Sequence, residues 1–323
     1  MVESGGRGRA AILCRPGSRP PFMAFDAFLL ILVMLVVGMA AARSGVFADN
    51  AAEVLNRFVL YICLPAAILR AAPKLEFSVG LLGLVAVPWI VLAASIALVL
   101  LAARLLRFGE AERAVLLLCV PLGNTSYLGY PLIEAMLGEY ALRYAVVYDQ
   151  FGSFMILSTW GLWVLARYGG DARPSLRDMG LRVLKFPPFI VLVLALTVMP
   201  AEPPQAIDAI LQRLADALLP VVAMAVGLQV RLALPRSEAV PLVVGIAYKL
   251  ALMPLLVWLL LPVLGLSGDM ARAAVLETAM PPMITAGALA ISHGLAPRLA
   301  AAFVGYGIVL SLLSLPLWHR LLS

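Results

Sequence analysis

The chain has 323 residues, of which 63% are hydrophobic and only 13% charged, whereas soluble domains carry charge on about a quarter of their residues. This composition excludes an ordinary soluble domain, and at about 20 apolar residues per span it leaves room for roughly ten spans. The net charge of +6 is spread over short connections rather than gathered in a patch, which argues for the basic loops of an integral membrane protein and against a nucleic-acid partner.

Residues 1–23 form a tail rich in Gly, Arg and Pro, predicted to be disordered. With the apolar run Phe28–Ala42 and its terminal Ala40-Ala41-Ala42, the tail imitates a secretory signal. Two other readings compete with that one: a first membrane helix preceded by a tail, or a true start at Met23. The internal repeat needs the helix, so it is kept as span 1.

Apolar periodicity predicts helical spans at 27–46, 52–72, 79–106, 111–138, 141–168, 184–200, 207–232, 239–264, 270–294 and 297–322. The longest polar stretch is Arg167–Lys185, and no soluble domain fits anywhere. Cys14, Cys63 and Cys119 form no CxxC pair, and packing is their expected role.

The chain repeats itself. Ala141, Arg143, Ala145, Gly152, Leu157, Leu162 and Trp163 recur 155 residues later as Ala296, Arg298, Ala300, Gly307, Leu312, Leu317 and Trp318. Leu55-Asn56-Arg57 and Leu211-Gln212-Arg213 match at a similar offset, and spans four and nine share an Arg-Ala before the break, Arg113-Ala114 and Arg272-Ala273. Two units of five spans follow, 24–169 and 187–323, joined by a cytoplasmic loop at 170–186. An odd number of spans per unit inverts the second unit in the membrane.

Orientation follows from the basic residues. Loops 1–2, 3–4, 5–6, 7–8 and 9–10 with their flanks carry 13 of the 24 Lys and Arg. The opposite side carries 6, the tail 4, and Lys249 lies inside span eight. Both termini are therefore expected in the periplasm of a bacterial inner membrane.

Two spans in corresponding places are interrupted by helix-breaking residues. Span four reads Val120-Pro121-Leu122-Gly123-Asn124-Thr125-Ser126-Tyr127-Leu128-Gly129-Tyr130-Pro131, and span nine reads Met280-Pro281-Pro282-Met283-Ile284-Thr285. Pro121 and Pro131 each remove a helical hydrogen bond, so the segment between them is predicted to unwind. Freed backbone groups inside a membrane are tolerated only beside a cavity, and paired breaks in a repeated architecture point to a transporter's binding site. Gly123, Asn124, Thr125 and Tyr127 on span four are candidate substrate-binding residues, with Pro282 and Thr285 on span nine and Gln150 on span five. Pro121, Pro131 and Pro281 are the helix-breaking residues.

Ionisable groups inside spans are costly and usually functional. Asp149 and Glu277 are candidates to bind a proton or a sodium ion, and Lys249 to neutralise either. No cofactor and no metal cluster are expected, although a sodium ion can be placed near Asn124 and Thr125. Asn56 and Gln229 are expected to bond between helices, Glu134, Glu139 and Arg143 to be solvated beside a loop, and Asp269 to cap a helix.

Asn124-Thr125 followed by Gly129-Tyr130-Pro131-Leu132, the proline-broken ninth span and the Ala-Pro-Arg that opens the tenth resemble the auxin efflux carrier family of permeases. The resemblance implies ten helices in two inverted repeats of five, similar to bile acid/sodium symporters and sodium/proton antiporters. It implies a scaffold of spans one, two, six and seven, and a transport part in which helices four and nine cross. The implied substrate is a small organic anion: auxin, or a mono- or dicarboxylate. Asn124, Thr125, Pro282 and Thr285 would line the crossover, faced by Gln150 and by Cys63-Leu64-Pro65. The short loop 5–6 and the missing asparagine beside Pro281-Pro282 separate this chain from the plant carriers.

The function expected is a secondary active or facilitative carrier working by alternating access, with the lipid bilayer and the anion as partners and homodimerisation left open. An intramembrane aspartyl protease built on Asp149 and Asp269, or a channel of the same fold, are the alternatives. No HExxH, P-loop or GxSxG motif occurs, which argues against zinc proteolysis, ATP-driven transport and serine hydrolysis.

Overall fold

A computed structural model describes residues 22–76, 78–170, 175–229 and 236–322. The predicted tail lies outside these apart from its last two positions. Among the described residues the architecture is all-helical, with no β-sheet.

Helix α1, Phe22–Ser44, is apolar on every face and stops where Gly45 takes a left-handed φ of 68°. Helix α2 runs through Ala51–Phe58, Val59–Cys63 and Leu64–Ala71, the middle piece being a π-helical turn. Helix α3, Val79–Leu106, contains Pro88 and ends at Arg107, also left-handed. Its 28 residues span about 42 Å at 1.5 Å per residue, more than the apolar thickness of a bilayer. Among the described residues, six helices are long and apolar enough to cross a membrane, or seven if the pair Leu176–Leu184 and Pro187–Thr197, bent by 61°, counts as one span. Predicted spans four and nine are divided by breaks into shorter helices, which is why they fall short of that length.

The surface confirms the solvent for which the chain is built. Leu82, Val263 and Leu313 are more than two-thirds exposed, whereas Lys249, Glu277 and Arg143 are buried. Apolar side chains face outward and charges inward, as in a bundle surrounded by lipid. Helix α1 packs along Leu218–Gln229 at a crossing where Gly38 meets Gly227. A Cβ on Gly38 would lie 2.8 Å from the Gly227 Cα, so only glycine allows the backbones this close.

Four expectations are corrected. The predicted loop 170–186 contains a helix, Leu176–Leu184, whose N-terminus is capped by Ser175 Oγ accepting from the Asp178 N–H at 3.1 Å. Gln229 bonds back to Ala225 O in its own helix, and Asn56 Oδ1 has no partner, so neither joins two helices. Asp269 lies inside the first turn of Gly268–Thr278 and pairs with Arg272, while Ser267 takes the capping position. Arg143 is not solvated but buried over the Tyr140 ring, and Glu139, although 35% exposed, is held by two cations.

Candidate functional site

Span four begins as helix Glu110–Cys119, opens over residues 120–124, and resumes as a π-turn, Thr125–Gly129, followed by helix Tyr130–Leu137. The unwound stretch is shorter than predicted. Pro131 does not end a helix; it lies in the first turn of Tyr130–Leu137, where a missing N–H is tolerated. Span nine runs as Gly268–Thr278, opens over residues 279–283, and resumes as Ile284–Ser292.

The two breaks pair with each other. Gly123 and Pro282 form an antiparallel bridge. The Asn124 N–H donates to Pro281 O at 2.7 Å, and the Met283 N–H donates to Leu122 O at 3.0 Å. Each break thus satisfies part of the backbone freed by the other, which answers the cost of unpaired amides in a membrane interior. Pro281 and Pro282 fit this role because neither needs an N–H donor.

Asp149 sits where span five widens into the π-turn Asp149–Ser153, a distortion common at functional sites. Its Oδ1 accepts from Thr125 Oγ1 at 2.5 Å; its Oδ2 accepts from Gln150 Nε2 at 2.8 Å and Tyr130 OH at 3.1 Å. The carboxylate therefore fastens span five to the first break. Lys249 and Glu277 lie on the other side of the crossing. Lys249 Nζ donates to Thr278 O at 3.2 Å, at the negative C-terminal end of helix Gly268–Thr278. Both Glu277 carboxyl oxygens are buried without a hydrogen-bond partner. Glycines make the room for these two groups. A Cβ on Gly129 would lie 2.6 Å from Glu277 Oε2, and one on Gly123 would lie 3.0 Å from Lys249 Nζ.

Beside the breaks is a cavity of about 130 Å³. Its polar wall holds Asn124, Ser126, Tyr127, Asp149, Gln150 and Thr285, and its apolar wall includes Leu60, Leu64, Phe154, Leu157 and Phe186. Phe154 and Phe186 stack with ring centroids 3.8 Å apart. Asn124 Nδ2 and Gln150 Oε1 are buried and without partners. Ile284 and Thr285, in the first turn of helix Ile284–Ser292, line the cavity as well, and Met283 provides no side-chain cap. The cavity thus offers an unpaired amide donor and an unpaired amide acceptor, three hydroxyls and the Asp149 carboxylate beside a positive helix end, with an aromatic and aliphatic body.

Two larger cavities, about 640 Å³ and 380 Å³, continue from it. The first shares Leu60, Tyr127 and Thr285 with the inner cavity and reaches Asp49, Glu53 and Arg57 at the start of α2. The route therefore opens on the loop 1–2 side.

Of the sequence-selected residues, Asn124, Tyr127, Gln150, Asp149 and Thr285 line the cavity, and so does Leu64. Gly123, Pro281 and Pro282 build the bridge behind it, and Thr125 is engaged by Asp149. Pro121 lies in the opened stretch without lining the cavity. Lys249 and Glu277 adjoin the crossing but do not line the cavity. Sequence reasoning missed Leu60, Phe154, Leu157, Phe186 and Met283, apolar residues with nothing in the sequence to distinguish them from bundle packing.

Helices of bilayer length, inward-facing charges and paired helix breaks beside a cavity define a membrane transport protein. The chain matches the family described as "Membrane transport protein" over residues 23–319, and it belongs to that family, the auxin efflux carriers. It is 26% identical over 310 residues to an uncharacterized transporter of Methanocaldococcus jannaschii, covering 92% of this chain and 98% of that protein. It is 27% identical over 301 residues to an uncharacterized transporter of Methanothermobacter thermautotrophicus, with 92% and 98% coverage. The family and these relatives are transporters, not enzymes, so the aspartyl protease alternative is set aside.

Proposed function

We propose that this protein is a carrier that moves a small organic anion by alternating access at the meeting point of spans four and nine. Ten spans in two inverted repeats of five would place the broken helices of the two units against each other, and the bridge between Gly123 and Pro282 is the contact this arrangement requires. Spans one, two, six and seven form the scaffold, and the remaining spans move the site past it. With the loop 1–2 side cytoplasmic, the open cavities describe a carrier facing inward, in a bacterial inner membrane with both termini periplasmic.

The observation that carries the reading is Asn124 Nδ2, a buried donor without a partner, on the cavity wall beside the N-terminus of Ile284–Ser292. A carboxylate seated there accepts from Asn124 and from backbone N–H groups at a positive helix end, a favourable setting for an anion. Among the described residues, no arginine or lysine side chain lines this inner cavity. A second carboxylate would lie against Leu64, Phe154 and Phe186 and lose its hydration without compensation. The geometry therefore favours a monocarboxylate with an apolar or aromatic body over a dicarboxylate.

Asp149, Glu277 and Lys249 are the coupling candidates. Asp149 touches both the cavity and the first break, while Glu277 retains two free acceptors next to the Lys249 ammonium. A proton bound at Glu277 removes the charge whose burial is costly there.

Counterflow in proteoliposomes tests the reading. Vesicles loaded with unlabelled monocarboxylate should transiently accumulate the labelled compound above equilibrium, as a carrier does and a channel does not. Equilibration without overshoot across a series of mono- and dicarboxylates would refute it.

A further inference from the structure

At its far end, helix α2 carries a charged cluster whose members do not line the substrate cavity. Leu64 lines the cavity, and Arg70 stands six residues further on, about 9 Å along the axis. The Arg70 side chain is 2% exposed. Its Nη2 donates to Glu139 Oε1 at 2.8 Å and its Nε to Asp208 Oδ1 at 3.0 Å. Lys74 Nζ donates to the same Glu139 oxygen at 2.8 Å. Arg143 Nη1 donates to the Lys74 carbonyl and approaches Glu76 Oε1 at 3.7 Å, and Tyr140 OH bonds Glu76. Ile68, which lies between Leu64 and Arg70 along α2, is buried, as is Leu142 at the start of span five.

The chain positions of these residues are informative. Arg70, Lys74 and Glu76 belong to span two and its end, and Asp208 to helix Gln205–Asp216 of span seven. Glu139, Tyr140 and Arg143 lie on the connection from span four to span five. Every bond except Arg70–Asp208 therefore joins the scaffold to the part that carries the first break.

We propose that Glu139, clamped by Arg70 and Lys74, is the gate that closes the substrate cavity on the side opposite its present opening. This rests on the carrier reading above. A gate must break and reform cheaply, whereas a buried ion pair that loses one partner ordinarily leaves an uncompensated charge costing several kcal/mol. The cluster avoids that cost. When Glu139 leaves, Arg70 keeps Asp208, its partner within the scaffold. Lys74 and Glu139 are each 35% exposed, so water replaces their lost bond. Asp208 is thus a positioning residue that holds Arg70 ready in both states.

The test uses full-length protein with Cys14, Cys63 and Cys119 replaced, one reporter at Thr285→Cys in the cavity, and membrane-impermeant maleimide added to one side at a time. With Glu139 intact, labelling should be fast from the loop 1–2 side and slow from the loop 2–3 side. Glu139→Gln, which keeps the side-chain size, should raise labelling from the loop 2–3 side at least tenfold. Arg70→Gln should do the same, and Asp208→Asn should have a smaller effect because both Arg70 and Lys74 still hold Glu139. Unchanged labelling from the loop 1–2 side shows in each case that the variant is folded. If folded Glu139→Gln and Arg70→Gln both label as slowly from the loop 2–3 side as the parent, the cluster is a fixed tie and the gate is refuted. If the reporter is unreachable from the loop 1–2 side in the parent, the carrier reading itself fails instead.

Discussion

Asn124 and Pro281, 157 positions apart in the chain, are joined by a 2.7 Å hydrogen bond from the N–H of the first to the carbonyl of the second. Because the backbone N–H of Asn124 serves the fold, its side-chain amide is left for the cavity. Structure and recognition are thus divided between two groups of one residue. Asn124→Ala keeps the backbone bond and removes only the amide. Saturable uptake should fall at least tenfold while the melting temperature stays close to the parent's, since no protein hydrogen bond is lost. A variant that transports normally removes Asn124 from the site.

Asp149 accepts from Thr125, Tyr130 and Gln150, and therefore both orders the first break and touches the cavity. In Asp149→Asn the amide nitrogen meets one of those donors, a loss of about 1–3 kcal/mol for a buried group left unsatisfied. Melting should drop accordingly, and the pH dependence of counterflow should flatten. A lowered melting temperature with an unaltered pH profile would assign Asp149 a purely structural part.

Gly129 lies against the Glu277 carboxyl group, and the contact leaves no room for a methyl. Gly129→Ala should destabilise by about 1–3 kcal/mol, the usual cost of overpacking. Glu277→Asp, one methylene shorter, should restore much of that loss in the double variant. If the two changes are additive when melting is measured, Glu277 is not the group displaced.

Burial raises the Glu139 carboxyl, but the Lys74 hydrogen bond and the Arg70 charge outweigh it and hold the group below the usual glutamate range. A depressed folded value stabilises the closed cluster fully above the unfolded value of about 4.3 and is lost as pH falls through the lower one. The melting difference between parent and Glu139→Gln should therefore be constant from pH 8 to about 5 and shrink only below about pH 4. A difference that vanishes between pH 6 and 8 would contradict the pairing.

Phe154 and Phe186 form one apolar wall of the cavity. Phe186→Ala should shift selectivity toward bulkier monocarboxylates in competition assays without admitting dicarboxylates. If dicarboxylates compete best in both proteins, the second anionic end is recognised elsewhere.

The helices and both breaks were legible because membrane insertion imposes long apolar runs, and Pro281-Pro282 and Gly123-Asn124 stand out against them. Asp149, Gln150 and Lys249 were legible as polar groups at membrane depth. Pro131 misled because a proline that breaks a helix interior is harmless in a first turn, and sequence does not say where the turn begins. The apolar cavity wall was invisible, since Leu60 or Phe154 in a cavity reads like any packed residue. The Arg70–Glu139–Asp208 cluster was missed because its members lie up to 138 positions apart, and each falls at a span end or beside a loop, where a charge is ordinary.

The central claim is that the cavity beside the paired breaks binds a single carboxylate through Asn124. Titration calorimetry of the purified protein with monocarboxylates and their uncharged amides, run on parent and Asn124→Leu, tests it most directly. The account predicts saturable binding of at least one apolar monocarboxylate to the parent, at least tenfold weaker binding of its amide, and a comparable loss in the variant. Equal affinity of parent and variant for every acid bound would contradict it.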